Sequence, residues 1–283
     1  MLVVPWGRKR VRRLVGDRAH IERGTPDRSH PRVAVIAHWS GRARVTRSVC
    51  ELVSQLQASD YLVVACSACG AGTELEWGDG IDLDGLVVIR KPNVGYDFGS
   101  WSIALRMLPW IPEAKRVILA NDSMAGPFAP LRPLLDQFDE TAADVWGLTD
   151  TSQFEPHLQS YFLGFRNSVL ASTPVRRFWS GIRDEREKIR IILRSEIGLS
   201  RLLRDEGFVQ MPAYPQERYV ESGENPVIVG WRRLLEHGFP FLKREILRDP
   251  SVAPDGEVAP AVVARLFGAD VGAWVDDLDR AAV

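Results

Sequence analysis

Apolar residues fall along this chain in short unbroken runs, separated by stretches with helical periodicity. Val33-Ala-Val-Ile-Ala-His38 is a run of strand length placed after Pro31, and Tyr61-Leu-Val-Val-Ala-Cys66, Leu86-Val-Val-Ile-Arg90 and Val117-Ile-Leu-Ala120 are similar. Runs without polar alternation predict parallel strands buried on both faces. After the first run, Val45, Val49, Leu52 and Leu56 recur at i, i+4, i+7 and i+11, the stripe of a helix. A Gly/Asp-rich loop, Gly78 to Gly85, precedes the third run, and Ser100 to Leu108 is expected to form a helix that stops at Pro109. Strand, helix, strand, strand, helix, strand implies a mostly parallel, Rossmann-type sheet with crossover helices.

The rhythm changes beyond Pro127. Asp144-Val-Trp-Gly-Leu148 and Ser160-Tyr-Phe-Leu-Gly-Phe165 read as strands, and residues 175–193 as a charged helix. Taken as one helix with 185–193, the stripe Ile189, Ile192, Glu196, Leu199, Leu203 puts Glu196 on the apolar face. A carboxylate there is costly unless it is paired or lines a cavity, and such a setting suits general-base work. Alternatively Ser195 caps a new helix that ends at Gly207, with Glu196 in its first turn, where the helix dipole favours negative charge. Residues 226–247 carry a Trp/Leu-rich helical pattern. The expected organisation is a basic extension (1–30), a domain over 31–250 in two parts (31–130 and 131–250), and an acidic helical tail (251–283).

Composition narrows the function classes. Hydrophobic content of 45% and charged content of 26% belong to an ordinary globular protein, and a net charge of −1 argues against a nucleic-acid partner. The charge is polarised: residues 1–30 hold eight Lys/Arg against three acids, and residues 249–283 hold seven acids against two Arg. The head Arg8-Lys-Arg-Val-Arg-Arg13 is expected to be a solvated tail, with contact to an anionic membrane surface as the other reading. Neither a transmembrane run nor a secretory core is visible, and three cysteines make no disulfide scaffold, so a cytoplasmic setting is expected. Cys66-Ser-Ala-Cys69 has zinc-like spacing but lacks a second ligand pair, and reads as two small residues after a strand.

Candidate chemistry gathers at the ends of the buried strands. Arg116-Val-Ile-Leu-Ala-Asn-Asp-Ser123 stops on Asn121, Asp122 and Ser123, oxygen donors of the kind that suit Mg²⁺, Mn²⁺ or the phosphates those ions bridge. The same three residue types also build Asx-turns. Arg90-Lys-Pro-Asn-Val-Gly-Tyr-Asp-Phe-Gly-Ser-Trp101 follows the third strand directly. Gly95 and Gly99 would let backbone approach a ligand, Asn93 and Asp97 would read a base or ribose, and Arg90 and Lys91 would meet phosphate. His38, which closes the first strand, joins this nucleotide-facing set. His157, Gln159 and Tyr161 share a strand face suited to sugar hydroxyls, and Trp101 and Trp146 would stack on a sugar or base. A buried His and core tryptophans are the competing readings.

These runs, together with Leu119-Ala-Asn-Asp-Ser-Met-Ala-Gly-Pro-Phe128, Asp144-Val-Trp-Gly-Leu-Thr-Asp150, His157-Leu-Gln-Ser-Tyr-Phe162, Ser195-Glu-Ile-Gly-Leu-Ser200 and Asn225-Pro through Pro240-Phe-Leu-Lys-Arg-Glu245, resemble the rhamnan synthesis protein F family of bacterial polysaccharide glycosyltransferases. More distantly the layout is similar to inverting transferases with the GT-A fold. The resemblance implies a GT-A-like α/β sheet flanked by helices, with a smaller acceptor-side α+β part. It further implies transfer of a deoxyhexose, L-rhamnose from dTDP-L-rhamnose, to a cell-surface glycan or lipid-linked glycan at the inner face of the membrane. Asn121-Asp122-Ser123 would stand at the Asp-x-Asp position, with Asp122 as the ligand of Mg or Mn and one carboxylate where relatives have two. Asn93 to Asp97 would grip the nucleotide. Ser195-Glu196 would stand at a Glu-Asp pair, making Glu196 the catalytic base. A UDP- or GDP-sugar donor, or an inactive glycan-binding subunit of a synthesis complex, are the alternatives.

Overall fold

The structure is a computed structural model and describes residues 9–166, 168–185 and 187–275. Its strands are β1 (His20–Arg23), β2 (Arg32–His38), β3 (Leu62–Ser67), β4 (Leu86–Arg90), β5 (Arg116–Asn121), β6 (Met124–Ala125), β7 (Val145–Thr151), β8 (His157–Leu158), β9 (Phe162–Arg166), β10 (Gln210–Tyr214) and β11 (Leu242–Lys243). The main sheet runs β1-β4-β3-β2-β5-β9-β7-β10, with β8 paired to β7. The four apolar runs form its parallel centre, β4-β3-β2-β5. Next to them β9 is antiparallel to both β5 and β7, and β10 is parallel to β7. The two expected parts of the domain therefore share one mixed sheet through the β5–β9 ladder. A separate ribbon pairs β11 with β6.

Helices α1 (Val11–Val15), α2 (Arg47–Gln57), α3 (Tyr96–Met107), α4 (Arg132–Glu140), α5 (Thr173–Gly181), α6 (Lys188–Ile191), α7 (Ile197–Asp205), α8 (Trp231–Glu236), α9 (Arg244–Arg248), α10 (Ala259–Phe267) and α11 (Gly272–Val275) complete the described chain. Strand alternation sends β2 residues to opposite layers. Val33 and Val35 pack with Phe98, Trp101 and Leu105 of α3, Trp179 of α5 and Leu203 of α7. Ala34 and Ile36 pack with Leu52 and Leu56 of α2 and Phe138 of α4. A third cluster joins Trp231, Leu242 and Ile246 to Val262 and Val263 of α10, so the tail is helical and docked as far as Val275. Residues 276–283 lie outside the described residues.

Three expectations change. The basic head is not a solvated tail from Arg10 onward. Val11 and Val15, at i and i+4 inside the arginine run, are fully buried, and β1 closes the sheet edge against β4. The charged stretch before Lys188 is not helical either, because its carboxylates have other partners. Asp184 accepts the Gly95 N–H at 3.0 Å, and Glu185 takes the Arg194 guanidinium at 2.6 Å. Residues 226–247 form a helix, a strand and a second helix, since Gly238 takes φ +84° and Pro240 follows it.

Candidate active site

The path from Lys188 to Asp205 runs α6, a π-helical turn over Ile192–Glu196, then α7. Ser195 is therefore mid-helix and not a cap. A π turn widens the helix by one residue, and Glu196, the last residue of this one, lines the cleft at the carboxyl end of the central sheet. There Glu196 Oε1 accepts the Ser160 N–H at 2.6 Å, which fixes the carboxylate.

Across from it, β5 ends in a turn that also presents a site. Asn121 Oδ1 accepts the Ser123 N–H at 3.0 Å, closing an Asx-turn, while its Nδ2 donates to Asp97 Oδ2 at 2.7 Å. Asp122 Oδ2 accepts the Trp39 N–H at 2.8 Å. The turn is held from outside by Arg244, which donates to the Asp122 carbonyl at 2.7 Å, and by Lys243, whose Nζ reaches Ser123 Oγ at 3.3 Å. Asp97, Asn121, Asp122, Ser123, Gln159, Tyr161 and Glu196 line one open cleft of about 550 Å³. Gln159 and Tyr161 are tied together there through the Thr149 hydroxyl, each contact 2.7 Å.

Charge in the cleft is tightly balanced. Burial, and then the Asp122 charge, push the Asp97 carboxyl up to about 7, against the pull of Lys243. Burial pushes the Lys243 ammonium down, while Glu196 and Asp97 oppose that shift. His38 sits behind Asp122 with Nδ1 on Ser67 Oγ at 2.9 Å, and burial lowers its proton affinity, so the ring is neutral at neutral pH.

Several sequence-derived candidates lie elsewhere. Arg90 is buried against Glu22 at 2.6 Å and donates to the carbonyls of Cys69, Ala71 and Thr73. Lys91 is spent on the carbonyls of Pro92 and Val94. Asn93 is exposed and outside the cleft lining. Gly95 begins α3 at φ +82°, and the space a Cβ would need is filled by Val11 Cγ2 at 2.4 Å, so its freedom serves packing. Trp101 donates to the Ala120 carbonyl inside the core, and Trp146 stacks on Phe138. His157 is buried with Nδ1 at the Glu155 carbonyl. His38 also falls outside the lining.

The cleft has residues that periodicity did not reveal. Trp39 and Tyr96 are 42% and 51% exposed at its edge, aromatic faces open to a ligand. Lys188, Lys243, Arg244 and Arg248 also line it. The only hint of Lys243 in the sequence was the motif Phe239-Pro-Phe-Leu-Lys-Arg-Glu, to which no role attaches by spacing.

The donor set fits a divalent cation poorly. Asp122 is the sole carboxylate of the 121–123 turn, the Asn121 oxygen is occupied by Ser123 N–H, and the Ser123 hydroxyl faces an ammonium. Among the described residues no group of three or more His, Cys, Asp or Glu is placed to hold a metal ion.

Comparison with known proteins gives the cleft a context. A family model described as Rhamnan synthesis protein F matches residues 81–266, more than half of the chain. Virulence protein VirA of Vibrio anguillarum (strain ATCC 68554 / 775) is 27% identical over 195 residues, covering 58% of this chain and 62% of that protein. Uncharacterized protein y4gN of Sinorhizobium fredii (strain NBRC 101917 / NGR234) is 28% identical over 158 residues, covering 53% of this chain and 41% of that protein. The chain thus spans less than two thirds of the length of these curated relatives.

Proposed function

We propose that this chain, which belongs to the rhamnan synthesis protein F family, is an inverting glycosyltransferase of GT-A type that moves L-rhamnose from dTDP-L-rhamnose onto a glycan or lipid-linked glycan. The membership supports a transferase-related role in polysaccharide synthesis. The observation that carries the reading further is the meeting of Asp97, Asp122 and Glu196, from three separate segments, in one cleft. That cleft opens at the carboxyl ends of the parallel strands, where open α/β sheets take ligands.

In this mechanism the nucleotide lies along the start of α3 and the β5 turn, with Trp39 or Tyr96 against its base or sugar. Glu196 Oε2, the oxygen without a backbone partner among the described hydrogen bonds, takes the proton of the acceptor hydroxyl. The acceptor oxygen forms its bond to the anomeric carbon from the face opposite the diphosphate. The carbon–oxygen bond to the diphosphate breaks, and its electron pair leaves on the phosphate oxygen. Most of the protein's contribution is positioning and compensation of that developing charge. The work is assigned to the inner face of the membrane, with the arginines of α1 towards anionic lipid. Among the described residues no helix is long and apolar enough to cross a membrane.

Glu196→Gln is the test. Gln keeps an acceptor for Ser160 N–H, so the fold and nucleotide binding are expected to survive while transfer falls by about 10²- to 10⁴-fold. Unchanged turnover removes Glu196 from the role. The single carboxylate at 121–123 favours one rival, a glycan-binding subunit without turnover. Release of nucleoside diphosphate from dTDP-, UDP- or GDP-sugars separates that rival from an enzyme and identifies the donor.

A further inference from the structure

The geometry points to Lys243 as the positive charge that receives the leaving diphosphate, with Arg248 as its companion, in place of a metal ion. This inference rests on the transferase reading of the cleft and deepens it.

Lys243 is not a surface lysine that happens to reach inward. It belongs to β11, whose ladder with β6 sets Lys243 opposite Met124, one residue beyond Ser123. The chain continues into Arg244, whose guanidinium and backbone N–H both bind the 121–123 turn, at the Asp122 and Ser123 carbonyls. The ladder, the Arg244 N–H and the Arg244 guanidinium therefore hold the ammonium's strand against the turn. Arg248 lies one helical turn beyond Arg244 on the same face of α9 and lines the same cleft.

The residues of the turn agree with this role. Position 123 is where an Asp-x-Asp pair would place its second carboxylate, and here it carries a hydroxyl. That hydroxyl touches Lys243 Nζ at 3.3 Å. This chain thus has a neutral group, not a carboxylate, at the point where a fixed cation is supplied. A divalent ion placed between Asp122 and Ser123 would meet that ammonium at close range, a like-charge contact in a partly dehydrated site. A diphosphate would meet the opposite: an ammonium, a guanidinium, and the neutral hydroxyl as a further donor. As the bond from the anomeric carbon to the phosphate oxygen breaks and its electron pair moves to that oxygen, Lys243 offsets the new charge. Without that anion, Lys243 is balanced by Glu196 and Asp97, which places the proton-accepting carboxylate and the phosphate-binding cation within mutual influence. Diphosphate binding would draw on Lys243 and leave Glu196 freer to accept the acceptor's proton.

The test is calorimetric binding of dTDP, UDP and GDP to the whole chain, in EDTA and then in Mn²⁺, for the native protein, Lys243→Met and Lys243→Arg. At least one nucleotide is expected to bind the native protein equally well in EDTA and in Mn²⁺. Lys243→Met should lose about 10- to 100-fold in affinity, the worth of a charge-assisted contact. Lys243→Arg, which keeps the charge, should stay within a few-fold of native and shows that position 243 tolerates replacement. Binding that appears only with Mn²⁺, or a Lys243→Met protein that binds as the native one does, overturns the inference and leaves the transferase reading intact. If none of the three nucleotides binds under either condition, the transferase reading fails and takes this inference with it.

Discussion

Asp97 gives the sharpest quantitative prediction. Its carboxyl is pushed from 3.8 to about 7, first by burial and then by the neighbouring Asp122 charge, with Glu196 adding to the push and Lys243 and the Asn121 amide opposing it. In the unfolded chain the same group ionises near its ordinary value. Below about pH 3 it is protonated in both states and contributes nothing to pH dependence. As pH rises, the unfolded chain gives up this proton while the folded protein retains it, so folding is progressively disfavoured until the folded group also ionises. At about 1.4 kcal/mol per pH unit, a span of about three units sets an upper bound of about 4 kcal/mol. Part of Asp97 is open to water, so about half of that, about 2 kcal/mol, is the working figure. Asp97→Asn removes the titration and keeps an oxygen to accept the Asn121 amide. The variant should match the native protein at about pH 3, draw ahead progressively as pH rises, and exceed it in stability by about 2 kcal/mol above about pH 8. For a chain of this size that is a rise in Tm of roughly 4–8 °C. Melting curves for both proteins across this range separate Asp97 from His38, whose charged neighbours are Asp122, Arg244 and Arg90 and are common to both. A constant difference between the two curves at all pH values would refute the assignment.

Arg90→Met should act on stability alone. Glu22, only 12% exposed, would keep a buried charge without its partner, a loss of about 3–5 kcal/mol by urea titration. Folded Arg90→Met should bind nucleotide normally, and a selective loss of affinity at unchanged stability would return Arg90 to the cleft. Gly95→Ala forces φ +82° on an alanine and sets its Cβ 2.4 Å from Val11 Cγ2, which should cost about 1–3 kcal/mol. In a Val11→Ala background the clash is relieved and the cost should shrink; strict additivity of the two changes would exclude direct packing between them.

The parallel centre of the sheet was legible because β2, β3, β4 and β5 are buried on both faces, which continuous Val, Ile, Leu and Ala satisfy along most of their length. The reversed β9 was visible as a strand, but its direction was not, since direction depends on partners far away in the chain. α1 stayed hidden because five residues are too few for a periodic signal and arginines surround its two valines. Asp97, Asp122 and Glu196, which share the cleft, stood out in the sequence because acids that follow or interrupt apolar runs are conspicuous. Arg90 and Trp101 misled for the opposite reason. A guanidinium with a buried carboxylate and three carbonyls looks, in one dimension, the same as one that waits for phosphate. An indole on a helix buried on nearly every side looks the same as one at a rim. Lys243 could not be identified from spacing, because a lysine beside an arginine is the commonest kind of surface pair, and only the β11–β6 ladder brings it to Ser123.

The strand β1 has a consequence for handling the protein. Leu86-Val-Val-Ile89 of β4 is apolar throughout, and among the described residues its outer side forms no ladder other than the one with β1. A version trimmed to begin near residue 31 would leave that flank bare, with unsatisfied amides ready to recruit any extended peptide. Such a shortened protein should clump or pair with itself through β4, whatever the state of the cleft on the other side of β3 and β2.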